Sequence, residues 1–259
     1  PPMFLGARRP YVEQRIIPST WRENGAGVFG DLGKFTYRAY VGTGLTSVAG
    51  TSSGASGFSA SGVRGGRQSG SKAAFEDPGL YGRLDYAPIQ GLTFGVSGYT
   101  GDTGQGARTP DTDLPIGGST TIWDAHVDWR WRGLQARGVY ARTTIDDVAR
   151  INEAQGLTGD GSVGESQYGW YAEVGYDVLA HRSDTRHALI PYVRHERYDT
   201  QDEVADGFAK DPSKDVTVTT VGVAWKPIVN VVVKVDYNTI ENEAETGVDQ
   251  INAAIGFLF

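Results

Sequence analysis

The sequence predicts an all-β fold, a transmembrane antiparallel β-barrel, and three observations carry that expectation. Apolar and polar residues alternate with a period of two in segment after segment, the repeat of a strand whose two faces meet different surroundings. The connections between these segments alternate between short and long, the pattern of outer-membrane barrels. No stretch approaches the roughly 18 consecutive apolar residues of a membrane helix, so a chain of this kind meets lipid only as a closed wall of strands.

The alternation is plain in KFTYRAYV, where Phe35, Tyr37, Ala39 and Val41 oppose Arg38. It continues in LYGRLDYA, with Leu80, Leu84 and Tyr86 against Arg83 and Asp85, and in LTFGVSGY. TIWDAHVDWRWR is the clearest case: Trp123, Ala125, Val127, Trp129 and Trp131 share one face, and Asp124, His126, Asp128, Arg130 and Arg132 the other. A strand so divided separates oil from water. After a turn at Arg132 and Gly133, GLQARGVYA sets Leu134, Ala136, Gly138 and Tyr140 opposite Gln135 and Arg137, completing a hairpin. SQYGWYAEVGYDVL places Tyr168, Trp170, Ala172, Val174 and Tyr176 opposite Glu173, and LIPYVRHERY places Leu189, Pro191 and Val193 opposite Arg194 and Glu196. VTVTTVGVAWKP follows, then VVVKVDYN with Val231, Val233, Val235 and Tyr237 opposite Lys234 and Asp236, then INAAIGFLF with Ile251, Ala253, Ile255, Phe257 and Phe259 on one side. These make about eleven strands of about 8 to 12 residues, long enough to cross a bilayer when tilted.

Short turns are expected near Leu32, Ile89, Gly133 and Pro227, and long polar loops over 46–77, 102–119, 143–165 and 200–214, with an intermediate connection at 180–187. Sorting short turns to one rim and long loops to the other suits a barrel and not a soluble sandwich. Trp129, Trp131, Trp225, Tyr86, Tyr176 and Phe259 gather near the short-turn side, and Trp123, Tyr168, Trp170 and Tyr237 toward the other. With Phe257 they would form two membrane-belt girdles.

Composition narrows the functions. Of 259 residues 39% are hydrophobic, 36 are glycine, and mean hydropathy is −0.34, low for a conventional soluble core. The absence of cysteine excludes disulfides and thiol chemistry. A net charge of −7 and a pI near 5.1 argue against nucleic acid. The start, PPMFLGARRP, shows neither an initiating methionine nor a signal peptide. Bacterial barrels have even strand numbers, so residues 1–259 are expected to be one barrel domain whose N-terminal strands are missing.

The inward positions hold the candidate chemistry. Arg38, Arg83, Arg130, Arg137, Arg194 and Lys234 would line a pore beside Asp85, Asp124, His126, Asp128, Glu173, Glu196 and Asp236. Such charges either set ion preference or pair across strands and keep the lumen wet; the sequence leaves both open. His126 between two aspartates offers a single imidazole, so neither catalysis nor a metal or other cofactor is expected. His181 and His187 flank a turn, and His195 falls near the outward face. The Gly/Ser run over 42–72 lacks the Gly-Lys-Ser/Thr ending of a phosphate-binding loop. IDDVARINEAQG predicts a short rim helix over 145–156 stopped by Gly156, and Asp160 sits in a turn sequence.

RRPYVEQRIIPSTWRENGAGVFG, the loop GFSASGVRGGRQSGSK, the inward Lys234 and Asp236 and the final Phe259 together resemble the phosphate-selective porin (porin O/P) family of Gram-negative outer membranes. The resemblance implies a sixteen-stranded barrel, a homotrimer and a loop folded inward to narrow the pore. Arg64 and Arg67 are the candidates for that constriction, although the lysine cluster of phosphate-specific members has no counterpart. The expected function is passive diffusion of small hydrophilic solutes or ions, phosphate among them, in contact with outer-membrane lipid. The alternative is a barrel scaffold that holds a partner such as a cytochrome or presents surface loops.

Overall fold

The computed structural model describes residues 4–51, 54–70, 72–182 and 186–258. The described residues contain eleven strands: β1 (Gly25–Leu32), β2 (Phe35–Thr43), β3 (Pro78–Ile89), β4 (Leu92–Gly101), β5 (Thr120–Trp131), β6 (Leu134–Ile145), β7 (Gly164–Tyr176), β8 (Ala188–Val204), β9 (Asp215–Ile228), β10 (Val231–Asn242) and β11 (Gln250–Phe257). They pair antiparallel in chain order in one sheet. Two short helices join them, α1 (Val12–Arg15) and α2 (Val148–Gln155). Phe259, expected in a girdle, lies outside the described residues.

The period-two pattern becomes the two faces of this wall. Outward, Val96, Val235 and Ile255 are 52%, 51% and 75% exposed; a soluble protein does not present apolar side chains strand after strand, whereas a lipid-facing wall must. Trp123 and Trp131 stand eight residues apart on β5. At about 3.4 Å per residue and a tilt of about 40°, that is roughly 20 Å of height, close to the apolar band of a membrane barrel.

Short connections at 33–34, 90–91, 132–133 and 229–230 share one rim with the intermediate 177–187, and long ones at 44–77, 102–119, 146–163 and 205–214 share the other. Arg132 (φ 46°) and Gly133 (φ 92°) both take left-handed conformations, as the tight turn of a twisted hairpin requires. The turn expected at Pro227 lies further on, because β9 continues through Pro227 to Ile228. A register irregularity between Val231 and Val233 lets the strand carry a residue without an N–H.

The expected rim helix is present as α2, with Gly156 left-handed at its end (φ 65°). Val148 and Ile151 pack with Leu45, Phe58, Val63 and Val163 in an apolar cluster at the long-loop end. Asp160 falls in a single 3-10 turn, Gly159–Gly161.

Candidate functional site

The sheet curves around its own chain. The segment over 4–24 starts near the short-turn rim, where Leu5 packs with Ile190, Tyr192, Ala224 and Val232. It climbs obliquely across the inner face to β1 at the long-loop rim. The Lys234 ammonium donates to the Phe4 and Gly6 carbonyls (2.5 and 3.0 Å). Asp236 accepts from the Ala7 N–H at 2.6 Å and from the Tyr192 hydroxyl at 2.9 Å. Higher up, Glu196 Oε2 accepts the backbone N–H groups of Tyr11 and Val12 at 2.5 and 3.3 Å. It thereby supplies the partner that the start of α1 lacks internally.

One face of α1 drives the seating. Val12 and Ile16, four residues apart, are fully buried against Ala141, Tyr171, Tyr198, Val216 and Val218. Gly169 makes the room: a Cβ there would lie 3.1 Å from side-chain atoms of both Val12 and Ile16. Trp21 ends the climb with its ring 5.2 Å from Tyr81 and 5.0 Å from Tyr99.

The loop over 44–77 closes this end. Gln155 donates to the Phe58 carbonyl at 2.9 Å and Thr200 to the Ala60 carbonyl at 2.6 Å, so the loop spans the mouth. Arg64 and Arg67, the constriction candidates, tie this loop to the segment: Arg64 donates to the Ser19 hydroxyl (3.2 Å), and Arg67 to the Ser19 carbonyl and to the Thr20 carbonyl (3.1 Å). Burial lowers the Arg67 pKa, helped by the like charges of Arg64 and Arg22. Burial likewise raises the neighbouring Glu23 carboxyl, against the hydrogen bonds it accepts from Thr43 and Trp21.

The inner wall therefore divides in two. Glu173, Arg194, Glu196, Lys234 and Asp236 point inward as expected but are at most 5% exposed; they face the protein's own chain and not water, which corrects their assignment as pore lining. Burial obliges them to pair, and Arg194 sits between Glu173 (3.3 Å) and Glu196 (3.2 Å). The other half, on β2 to β6, stays open. Arg38, Arg83, Asp85, Asp124, His126, Asp128, Arg130 and Arg137 lie on this side. A cavity of about 370 Å³ runs between the segment, at Glu13 and Ile17, and the wall at Ser97, Asp124, His126 and Arg137.

Charge in the open half is mixed and paired. Arg137 and Arg130 both bond Asp128 (2.7 and 3.1 Å), and Arg83 bonds Asp85 (2.7 Å). Glu13 accepts from the Tyr171 hydroxyl at 2.6 Å. Burial raises its pKa above the ordinary carboxylate range, against the lowering by that bond and by Arg137 and Arg9. Outside the wall, His195 is exposed beside Trp170 and Thr219, on the outward face as the alternation implied.

An all-β wall with an oil-facing outside and a partly filled, charged inside is what the fold and site define. No family model matches the sequence. A protein of Aquifex aeolicus (strain VF5), described as uncharacterized, is 31% identical over 265 residues that take in the whole of this chain. The chain spans 58% of that relative's length. Among solved structures, a porin aligns with 92% of this chain and 62% of its own at 13% identity and a TM-score of 0.49. LpxR from Salmonella typhimurium aligns with 90% and 87% at 13% identity and 0.32, and the ferric enterobactin receptor PfeA with 91% and 40% at 12% and 0.44. The fold stands on its own strand ladder, which those distant likenesses do not extend.

Proposed function

We propose that this chain is wall and constriction of an outer-membrane β-barrel that passes small hydrophilic solutes or ions. Passage would follow the channel between the segment over 4–24 and strands β3 to β6. The observation that carries the reading is the contrast within one wall. Its outer face is apolar and exposed, while its inner face is charged and retains an open cavity of about 370 Å³ even with the segment seated.

Closure in lipid sets a further requirement. In an antiparallel sequence of eleven strands, β1 and β11 run the same way. They cannot close the wall on each other as an antiparallel pair, and lipid cannot satisfy their free edges. With antiparallel closure, the rule in bacterial barrels, an odd number of additional strands would lie between them; the sixteen-stranded barrel of the phosphate-selective porin resemblance would supply five. The trimer implied by that resemblance belongs to the same reading.

Phosphate selectivity fits the passage less well than mixed small solutes. Arg83 and Arg137 are each already bonded to an aspartate, and Asp124, Asp128 and Glu13 border the same space, so an anion would meet more carboxylates than guanidinium groups. The test is single-channel current of the full-length protein in a planar bilayer under a salt gradient. Stepwise conductance supports the pore. Silence from demonstrably inserted barrels would overturn it in favour of a scaffold, a reading the half-filled lumen also suits.

A further inference from the structure

Three wall strands bring a bonded chain of polar groups to the edge of the open passage. Asp85 on β3 and His126 on β5 are separated by β4, and the residue in register between them is Gly95. A Cβ at Gly95 would fall on both the Asp85 carboxylate and the His126 ring, so only glycine lets the two side chains meet across the strand. His126 Nδ1 lies 2.7 Å from Asp124 Oδ1, and the Ser97 hydroxyl donates to the other oxygen of Asp124. His126 Nε2 lies 2.9 Å from Asp85 Oδ1 and 2.8 Å from Arg83 Nη2. Arg83 in turn holds both oxygens of Asp85, through Nε at 2.7 Å and Nη2 at 2.9 Å.

A guanidinium only donates. In the neutral ring, Nε2 presents its lone pair to Arg83 at 2.8 Å with the ring proton on Nδ1 toward Asp124, and the Asp85 contact at 2.9 Å is then acceptor against acceptor. The arrangement selects one tautomer of neutral imidazole. A proton added at Nε2 reverses both contacts on that side. The Arg83 contact becomes donor against donor between two cations, while the Asp85 contact becomes a charge-assisted hydrogen bond.

We propose that His126 sets how much of the Arg83 charge the passage offers to solutes: the neutral ring holds the guanidinium on the wall, and the imidazolium takes Asp85 and releases it to water. This inference rests on the pore reading and deepens it, making Arg83 and His126 a selectivity pair for small inorganic anions. Histidine is the side chain whose ordinary titration falls between about pH 5 and 8, which sets the range to be tested. Arg83 and Asp85 face His126 from β3, Ser97 from β4, Asp124 and Asp128 from its own strand, Arg137 from β6 and Glu13 from the internal segment. Glu13 also gains a proton on acidification, so the variant comparison has to isolate the imidazole.

The experiment is the reversal potential of the full-length protein in a potassium chloride gradient at about pH 8 and about pH 5.5. Chloride preference in the wild type is expected to rise about two- to fivefold on acidification, the effect of unit charges within a few ångströms in a wet pore. In His126→Gln the rise should be less than half as large. Equal rises in the two proteins would overturn the proposal. A second readout does not need current: the nitrogen NMR titration of His126 in detergent-folded protein, assigned by its loss in His126→Gln. Arg83→Gln should move the midpoint to higher pH, and Asp85→Asn to lower pH. If no current flows but the midpoints move this way, the pore reading falls and the linkage between the two side chains stands. An unmoved midpoint in Arg83→Gln sinks the linkage whatever the current shows.

Discussion

Replacing Glu196 by alanine tests whether the segment over 4–24 is held in the lumen by the contacts described. One oxygen of Glu196 serves the N–H groups of Tyr11 and Val12, and the other takes the Arg194 Nε at 3.2 Å. Glu196, Arg194 and Val12 are sealed from water. Truncation leaves two backbone donors without partners, at about 1–3 kcal/mol each, and a buried arginine with one carboxylate in place of two, a loss of about 3–5 kcal/mol when a pair is broken outright. The two costs share one carboxylate and water can enter the vacated space, so about 3 kcal/mol is the working figure. At 1.4 kcal/mol per factor of ten, the open form of the segment becomes about a hundredfold more populated. The assay is trypsin cleavage after Arg15 in the detergent-folded protein. Ile16 on the far side of that bond is fully buried, and Arg9 precedes Pro10 and is a poor site. With cleavage slow relative to reclosing, the rate follows the open population. Glu196→Gln, which keeps an acceptor, should recover part of the protection. A Glu196→Ala rate within about threefold of wild type, below about 0.7 kcal/mol, in a barrel that remains folded would refute the argument.

Two further expectations follow from the same geometry. Val96 is outward and central on β4, between Leu84 and Ala125, so Val96→Arg should weaken folding into lipid vesicles by about 2–4 kcal/mol in a urea titration, and an unchanged midpoint would mean that this face does not meet lipid. Glu13 has its pKa raised by burial, so its seated form binds the proton more tightly than its released form. The contribution to seating is full below the ordinary carboxylate pKa and is lost as pH rises through the raised value. Hydrogen-exchange protection of the peptide over 4–17, corrected for intrinsic rates, should therefore fall as pH rises above the ordinary carboxylate range in wild type and stay level in Glu13→Gln; level profiles in both would contradict it.

The wall was legible because its two faces meet solvents that differ as much as oil and water, and strand geometry turns that difference into a period of two. Trp123 to Trp131 on β5, the turn at Arg132 and Gly133, and the helix ending at Gly156 all stand where the pattern put them. The seated segment was not legible. Its residues are neither alternating nor strongly apolar, and the only hint is Val12 and Ile16 spaced four apart between Pro10 and Pro18. Arg64 and Arg67 show the same limit, since an arginine that clamps two carbonyls reads no differently from one that awaits an anion.

The inward charges make the point sharper. Glu173, Arg194 and Glu196 alternate with apolar neighbours just as Asp124, His126 and Asp128 do, yet the first set is sealed and the second borders open space. Periodicity reports that a side chain points inward and is silent on whether water or protein waits there. Inward glycines stand beside both sets. Gly169 and Gly175 on β7 and Gly222 on β9 point inward where a Cβ would strike the segment or the side chains seated around it. On the open side, the inward Gly95 makes room for the meeting of Asp85 and His126 instead. Inward glycines in a charged strand thus mark where something has to fit closely against the wall, and whether that is another stretch of chain or a side chain from two strands away is decided only by the register of the neighbouring strands.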